Sequence, residues 1–194
     1  MSISTPDFQF CKATHVYTLN GKILPSVTQV LKETGLLLYY GLNDYQMTRG
    51  TYVHAACELL DKDELDFESL DDTLKPYVYA YIKFKKESGF APVLIETPLY
   101  HPQLMYAGTI DRTGRLNSKK VLIDIKTGSP HPATDIQLAA YEELLDGGAE
   151  EVYALYLRDN GSYSLIKKRD NKNFAVFRSA LHLYYYKKEH LNGN

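Results

Sequence analysis

The stretch "VLIDIKTG" at residues 121–128 decides how the rest of the sequence is interpreted. Its aliphatic residues predict a buried β-strand, yet Asp124 and Lys126 lie within it. Because side chains alternate along a strand, these two groups share one face, about 6.5–7 Å apart. The other face carries the aliphatic side chains of Val121, Ile123 and Ile125. We therefore expect a strand that is anchored on one side and presents a carboxylate and an ammonium group on the other.

The preceding segment, "MYAGTIDRTGRL" (105–116), predicts a strand that pairs with this one. If a tight turn centred on Asn117–Ser118 joins them, the antiparallel register places Asp111 opposite Asp124. Cross-strand partners have Cβ atoms about 4.5–5.5 Å apart. Two carboxylates at that distance repel each other and raise each other's pKa unless a cation lies between them. The register therefore predicts a site for a hard divalent cation such as Mg²⁺, which takes carboxylate oxygens as ligands.

Simpler explanations exist for each residue taken alone. An Asp-x-Lys pair on a strand is most often a surface ion pair, which contributes little to stability. Asp111 could merely open the turn "DRTG" (111–114), because aspartate is common at that position. A functional site is favoured by the combination of an aspartate on each arm, a lysine on the same face and aliphatic residues opposite.

The N-terminal half predicts a hairpin followed by helices. Asn20–Gly21 is a strong hairpin turn signal between two strand-like segments. Ser26, with Gln29 three residues later, predicts the capped start of a short helix that ends near Gly35. Apolar residues at helical spacing predict a second helix from about 43 to 61.

The C-terminal half predicts strands that alternate with helices. A third helix follows Pro76, and strands are expected at 92–100, 105–116 and 119–127. The segment after Ala133 predicts a helix that ends at Gly147–Gly148. A hairpin then turns at 159–161, and the last helix starts at an N-cap, Asp170.

This order predicts a single α/β domain, with a central mixed β-sheet flanked by helices. We expect that domain to span residues 1–194. It would consist of an N-terminal hairpin with helices (14–90), a catalytic core (91–167) and a C-terminal helix (170–190).

Composition limits the classes of function. A chain of 194 residues can bury one substantial core. With 22 basic and 24 acidic residues, the net charge of −2 excludes a protein that coats nucleic acid through bulk charge, so a local cleft would have to hold such a partner. The longest apolar run (35–42) is too short to cross a membrane, and residues 1–10 lack the pattern of a secretory signal. Cys11 and Cys57 offer no disulfide framework, so we expect a cytoplasmic protein.

Four motifs together carry a resemblance to a known family. They are "RGTYVHAACELL" (49–60), "AGTID" (107–111), "VLIDIKTG" (121–128) and "IQLAAY" (136–141). In that order they resemble the RecB-like, phage-type exonuclease branch of the PD-(D/E)XK nuclease superfamily. The resemblance covers roughly residues 15–145 and implies a restriction-endonuclease-like core.

The resemblance implies a role for each matching residue. Asp111 and Asp124 would be ligands of Mg²⁺ or Mn²⁺, helped by the backbone carbonyl of Ile125. Lys126 would stabilise the charge that develops at the scissile phosphate or position the attacking water. His54 would be a further metal ligand from its helix. The alternative for His54 is a partly buried helix histidine beside the apolar stripe.

Three further residues match the family pattern less specifically. Glu96 occupies an acidic position of the preceding strand, although Pro98 indicates an edge strand on which a solvated glutamate is ordinary. Gln137 and Tyr141 share a helix face that would contact the nucleic acid. Alternatively, Gln137 could form a capping box with Thr134, and Tyr141 could belong to the core.

The implied function is that of a divalent-metal-dependent DNA exonuclease, serving phage or prophage recombination or DNA end processing in a bacterial cell. A catalytically inactive nucleic-acid-binding or assembly module on the same fold is the main alternative, and a small-molecule phosphoesterase is another. DNA is the expected partner. The sequence has no helicase P-loop, so a motor or recombination partner would be a separate chain. Oligomeric assembly is left open.

Overall fold

A computed structural model describes residues 6–37, 44–168 and 170–191, with the side chains of 44–47 and 171 outside the description. The strands and helices follow in chain order. The N-terminal half contains β1 (Phe8–Cys11), β2 (Val16–Leu19), β3 (Lys22–Leu24), α1 (Val27–Glu33), α2 (Asp44–Asp61) and α3 (Lys75–Ser88). The C-terminal half contains β4 (Ala91–His101), β5 (Tyr106–Leu116), β6 (Lys119–Lys126), α4 (Ala133–Glu142), β7 (Glu151–Leu157), β8 (Tyr163–Lys167) and α5 (Asn171–His190).

The central sheet is mixed, as predicted. Its strand order is β4-β5-β6-β7-β8, and all neighbours are antiparallel except β6 and β7, which are parallel. A parallel pair needs a crossover connection, and α4 supplies it between β6 and β7. Strand β4 lies at the edge of the sheet, which accommodates Pro98 there.

The hairpin of β5 and β6 has the predicted register. Asn117 (φ 49°) and Ser118 (φ 67°) both adopt left-handed backbone, which suits the twist of a two-residue hairpin loop. Leu116 pairs with Lys119, and the pairing continues to Arg112 and Ile123. The pairing stops one position before Asp111 and Asp124.

Each face of the sheet carries its own apolar core. Val121, Ile123 and Ile125 of β6 pack with the buried aromatic residues of α3, among them Tyr81 and Phe84. The alternate residue of β6, Leu122, belongs to the opposite core. That core includes Val30 of α1, Leu138 of α4 and Phe177 and Leu181 of α5. Full burial of each such side chain contributes roughly 1.5–3 kcal/mol. Strand β6 is therefore fixed from both sides, and the alternation predicted for it is confirmed.

The N-terminal sheet contains one more strand than the sequence indicated. The turn at Asn20–Gly21 forms as predicted, and the hydroxyl of Ser26 accepts the Gln29 amide N–H at 3.0 Å. Strand β1 was not predicted, because "FQFC" is short and no turn signal follows it. It pairs antiparallel with β2 and extends the hairpin to three strands.

Helix α4 is shorter than predicted. It ends at Glu142, and the Leu144 and Leu145 amides bond three residues back, to Tyr141 and Glu142. This tighter turn ends the helix before the two glycines. The N-cap is Pro132, so Thr134 lies within the helix and the capping box considered for Gln137 does not form. Within the part of the chain that the structure describes, no helix has the length and apolar character needed to cross a membrane.

Gly114 is required where β5 meets β4. A Cβ at this position would lie 2.2 Å from the Ala91 carbonyl oxygen and 2.7 Å from the Phe90 ring. We expect Gly114→Ala to lower the free energy of unfolding by about 1–3 kcal/mol, because the strand pairing would have to shift. Urea unfolding followed by circular dichroism measures the change.

Gly128→Ala is the matched control, since a Cβ there would meet nothing within 4 Å. Equal unfolding midpoints for the two variants would contradict the packing argument.

Candidate active site

The predicted site residues come together in one cleft of about 1220 Å³. Strand β1 and the loop that follows it, helices α2 and α4 and the C-terminal end of β6 contribute to its walls. The residues that line it include His54, Glu96, Asp111, Asp124, Ile125, Lys126, Gln137 and Tyr141. Residues far apart in the sequence therefore share one solvent-accessible space.

The cleft begins where β5 leaves β6. Pairing with β6 ends at Arg112, whereas pairing with β4 continues to Tyr106. In a regular strand, residues two apart share a face. Here Ile110 lies in the core beneath α4, whereas Arg112 packs against Tyr81 of α3 on the other side of the sheet. The backbone of β5 therefore twists at Asp111, so that Ile110 and Arg112 face opposite sides of the sheet.

The side chain of Asp111 occupies the opening that this twist creates between β5 and β6. Its Oδ2 accepts the Ile125 amide N–H at 2.7 Å, in place of a backbone partner. On the other side, Glu96 lies between residues of β4 that pair with Arg112 and Ile110, and it adopts a positive φ of 42°. Both carboxylates are thereby placed at the same irregularity of the sheet.

Helix α2 adds an imidazole to these carboxylates. Nδ1 of His54 lies 3.5 Å from Glu96 Oε1 and 3.6 Å from Asp111 Oδ2. One donor atom from each of the three residues lies within 4.8 Å of the others. We call this set the three-donor group. Imidazole and carboxylate groups are common ligands of divalent metals such as Mn²⁺, so the group fits a metal site by its chemistry.

The Ile125 carbonyl, a predicted metal ligand, lies 2.9 Å from Nε2 of His54. A ring N–H that donates to a backbone carbonyl orients histidine ligands in many metal sites, because it fixes the tautomer that leaves the other nitrogen available. In this arrangement the Ile125 carbonyl supports His54. Its role as a direct ligand stays a prediction.

Asp124 lies beside the three-donor group and holds Lys126. The ammonium group is 2.8 Å from Asp124 Oδ2 and donates to Gln137 Oε1 at 2.9 Å. The Gln137 amide nitrogen in turn donates to the Tyr141 hydroxyl at 3.0 Å and to Thr28 Oγ1 at 3.3 Å. The hydrogen-bond chain thus fixes Lys126 from α4 and α1. Tyr141 belongs to the core and to the cleft at once.

The pKa values of the site reflect carboxylates that are buried close together. Burial raises the pKa of Asp111 and also raises that of Asp124, to about 6, although Lys126 opposes the shift. Burial acts to lower the pKa of His54, but Asp111 and Glu96 outweigh it and raise that pKa to about 9. Ionising these acids is costly unless positive charge lies beside them. Protonated His54 and Lys126 supply that charge here, and a divalent cation could supply it in place of the His54 proton.

Lys126 is also influenced by this cluster of charges. Burial acts to lower its pKa, but the carboxylates of Asp124 and Asp111 raise it above the ordinary value. The side chain is therefore a cation at neutral pH. A charged ammonium donates hydrogen bonds and attracts phosphate oxygens, and it does not coordinate a metal.

Arg112 is a supporting residue that sequence reasoning missed. It is fully buried, with Nε 2.6 Å from Asp61 Oδ2 and Nη1 2.9 Å from Glu96 Oε1. Nη1 also donates to the Asp111 carbonyl oxygen at 2.5 Å, and the guanidinium packs against the Tyr81 ring. Its position directly after Asp111 in a buried strand was the available signal, but nothing local identifies Asp61 as the partner.

Thr28 was missed as well. It lies in the first turn of α1, and its contact with Gln137 spans 109 positions of the sequence. No local pattern predicts such a contact.

Comparison with known proteins supports the fold. No protein-family model matches the chain, and no curated protein matches its sequence. A provisionally named exonuclease from Eubacterium rectale has a similar structure, with a TM-score of 0.54 and 10% identity over 87% of this chain and 76% of that one. An alkaline exonuclease from Laribacter hongkongensis is also similar, with a TM-score of 0.49 and 16% identity over 84% of this chain and 75% of that one. At the level of the fold, the resemblance predicted from the sequence is confirmed by the Eubacterium rectale structure, which is named as an exonuclease.

Removing Arg112 should destabilise the site and the fold together. Arg112→Met would leave the carboxylates of Asp61 and Glu96 without their buried cation, so we expect the free energy of unfolding to fall by about 3–5 kcal/mol. Denaturant unfolding measures this change.

Lys119→Met is the matched control, because Lys119 pairs with Glu151 at the surface and is half exposed. We expect little change there, since exposed ion pairs contribute little. Similar losses in both variants would show that Arg112 has no special structural role.

Proposed function

We propose that this protein is a divalent-metal-dependent DNA nuclease that acts as an exonuclease. The observation that carries the proposal is the meeting of two groups in one cleft. The three-donor group can hold a cation, and beside it a half-buried lysine is held by Asp124 and Gln137. The fold shared with a structure named as an exonuclease supports the same reaction class.

The cation would be Mg²⁺ or Mn²⁺, held by His54, Glu96 and Asp111, with Asp124 as a further ligand. A bound divalent cation supplies charge neutralisation at a phosphate and makes water a stronger nucleophile at neutral pH. The chain's own residues would do the rest. His54 is oriented by the Ile125 carbonyl, and Asp111 is fixed by the Ile125 amide.

Lys126 would act on the scissile phosphate directly. Its ammonium group is protonated and lies at the cleft, where it can stabilise the charge that develops on the phosphate oxygens or position the attacking water. Asp124 and Gln137 prevent it from moving away. An electrostatic donor placed in advance in this way costs no reorganisation during the reaction.

DNA would be held by the cleft, since the net charge of −2 gives no general attraction to phosphates. Basic side chains at its margins, those of Lys12, Arg49 and Arg158, would neutralise backbone phosphates. Gln137 and Tyr141 would meet the strand from α4. We place this activity in the cytoplasm of a bacterial cell, in phage-type recombination or end processing with a separate helicase or recombination protein.

The enzymatic role of Lys126 is testable with end-labelled linear DNA in the presence of Mg²⁺ or Mn²⁺. We expect wild-type protein to degrade the DNA, EDTA to stop the reaction, and Lys126→Ala to slow it roughly 10²–10³-fold, the effect of removing one electrostatic donor. Product release resolved on a gel gives the rate.

Lys75→Ala is the matched control, because Lys75 pairs with Asp72 at the surface and should leave the rate unchanged. If wild type and Lys126→Ala leave the DNA equally intact, the enzymatic proposal fails. Salt-dependent DNA binding without cleavage would then favour the inactive binding module.

Dependence on DNA ends is a separate expectation. An exonuclease needs a free terminus, so linear DNA should be degraded while covalently closed circles of the same sequence stay intact. The two substrates, mixed in one reaction and resolved by electrophoresis, provide internal controls for each other. Linearisation or nicking of the circles at a comparable rate would assign endonuclease action instead.

A further inference from the structure

An aromatic cluster borders the cleft on the side of the N-terminal sheet. The ring of Phe10 lies 4.5 Å from the ring of Tyr17, with 21° between their planes. His15 meets Phe10 edge-on at 5.2 Å and 87°, and it meets Tyr17 at 5.5 Å and 82°. The three rings therefore pack as one unit, which we call the aromatic platform.

The members of the platform differ in exposure. Tyr17 is buried, with 1% of its surface accessible, whereas Phe10 is half-buried and His15 is exposed. Phe10 and His15 line the cleft. Phe8, two residues earlier on the same strand, packs against Tyr17 and Tyr100 and is not among the described residues that line the cleft.

The platform is connected to the three-donor group. Tyr17 bonds through its hydroxyl to Thr109 Oγ1 at 2.7 Å, two residues before Asp111 in β5. Burial raises the pKa of Tyr17 to about 12, and the charges of Glu96 and Asp111 add to the shift. Tyr17 therefore links the aromatic platform to β5, two residues from Asp111.

The platform is held in place by strand pairing and by an ion pair from the loop between β1 and β2. Lys12, between Phe10 and His15, forms an ion pair with Glu58 of α2 at 2.9 Å. Glu58 follows His54 by one helical turn, so the loop is attached to the helix that supplies the imidazole. Phe10 and Tyr17 are also direct partners in the β1–β2 ladder.

We propose that the ring of Phe10 stacks against the base of an unpaired nucleotide next to the phosphate at the three-donor group, while His15, whose ring is perpendicular to that of Phe10, contacts the edge of the base. This inference rests on the proposed function and adds a substrate preference to it. Aromatic side chains stack on any base, because every base has a π-face. A base inside a duplex is already stacked on its neighbours, so the platform would favour a single-stranded or frayed terminus over a blunt, paired end.

The test uses a single-stranded oligonucleotide and a blunt duplex, each carrying 2-aminopurine at the terminal position, with Ca²⁺ as the cation and strand integrity checked on a gel. We expect wild-type protein to quench the fluorescence of the single strand. Phe10→Leu should abolish the quenching and weaken single-strand binding roughly 5- to 100-fold, the loss expected for one base–aromatic stack. Phe10→Tyr, which keeps a ring, should retain both.

Phe8→Leu is the matched control, because Phe8 also packs against Tyr17 but does not line the cleft, so this variant reports any indirect effect on the platform. It should leave the quenching and the affinity unchanged. Three results would overturn the inference: unchanged quenching in Phe10→Leu, equal weakening of single-strand and duplex binding, or the same loss in Phe8→Leu.

The two proposals fail in different ways. Cleavage that depends on Lys126, together with quenching that does not depend on Phe10, overturns the stacking inference and leaves the nuclease proposal standing. Quenching that depends on Phe10, in a wild-type protein that never cleaves DNA, supports base stacking and overturns the nuclease proposal.

Discussion

The bond from the Ile125 amide to the carboxylate of Asp111 is the interaction on which the site depends. At this point β5 stops pairing with β6, and an unpartnered backbone amide would be costly in a buried strand. The carboxylate supplies the missing acceptor, so the sheet can open without losing a hydrogen bond. The opening produces the cleft, and the residue that closes the gap in hydrogen bonding also belongs to the three-donor group that could hold a metal.

Buried negative charge is the second constraint, and cations at two depths in the fold balance it. Arg112 lies beneath the site, between Asp61 and Glu96, while His54 and Lys126 lie at the cleft beside Asp111 and Asp124. Isolated buried carboxylates would shift toward the neutral form. The surrounding cations favour the charged forms, although burial still raises the pKa of Asp124 to about 6.

The elements that hold these charges also explain why the fold tolerates a very different sequence. The structural relative from Eubacterium rectale has 10% identity and a TM-score of 0.54. A mixed sheet with one parallel pair and a crossover helix can be filled by many combinations of apolar side chains. Fewer substitutions should be compatible with the positions where β5 separates from β6, because the backbone pairing, the Asp111 carboxylate and the buried Arg112 guanidinium all meet there.

Local chemistry made much of the structure predictable. The turn at Asn117–Ser118, the alternation of β6 and the caps at Ser26 and Asp170 depend on neighbours within a few residues. For the same reason the sequence predicted the register of β5 and β6, although the pairing itself ends one position before Asp111 and Asp124. Strand β1 and the early end of α4 were not predicted, because pairing and packing with distant segments decide where such elements begin and end.

The sequence by itself determined which side chains the candidate site is built from: two aspartates and a lysine on paired strands, a histidine on a helix, and Gln137 with Tyr141 one helical turn apart. Only the tertiary structure decided how they connect. His54 reaches the Ile125 carbonyl across 71 positions, and Arg112 reaches Asp61 across 51. Such contacts depend on how whole elements pack, because a side chain's periodicity specifies the face it occupies and not the residue that it meets there.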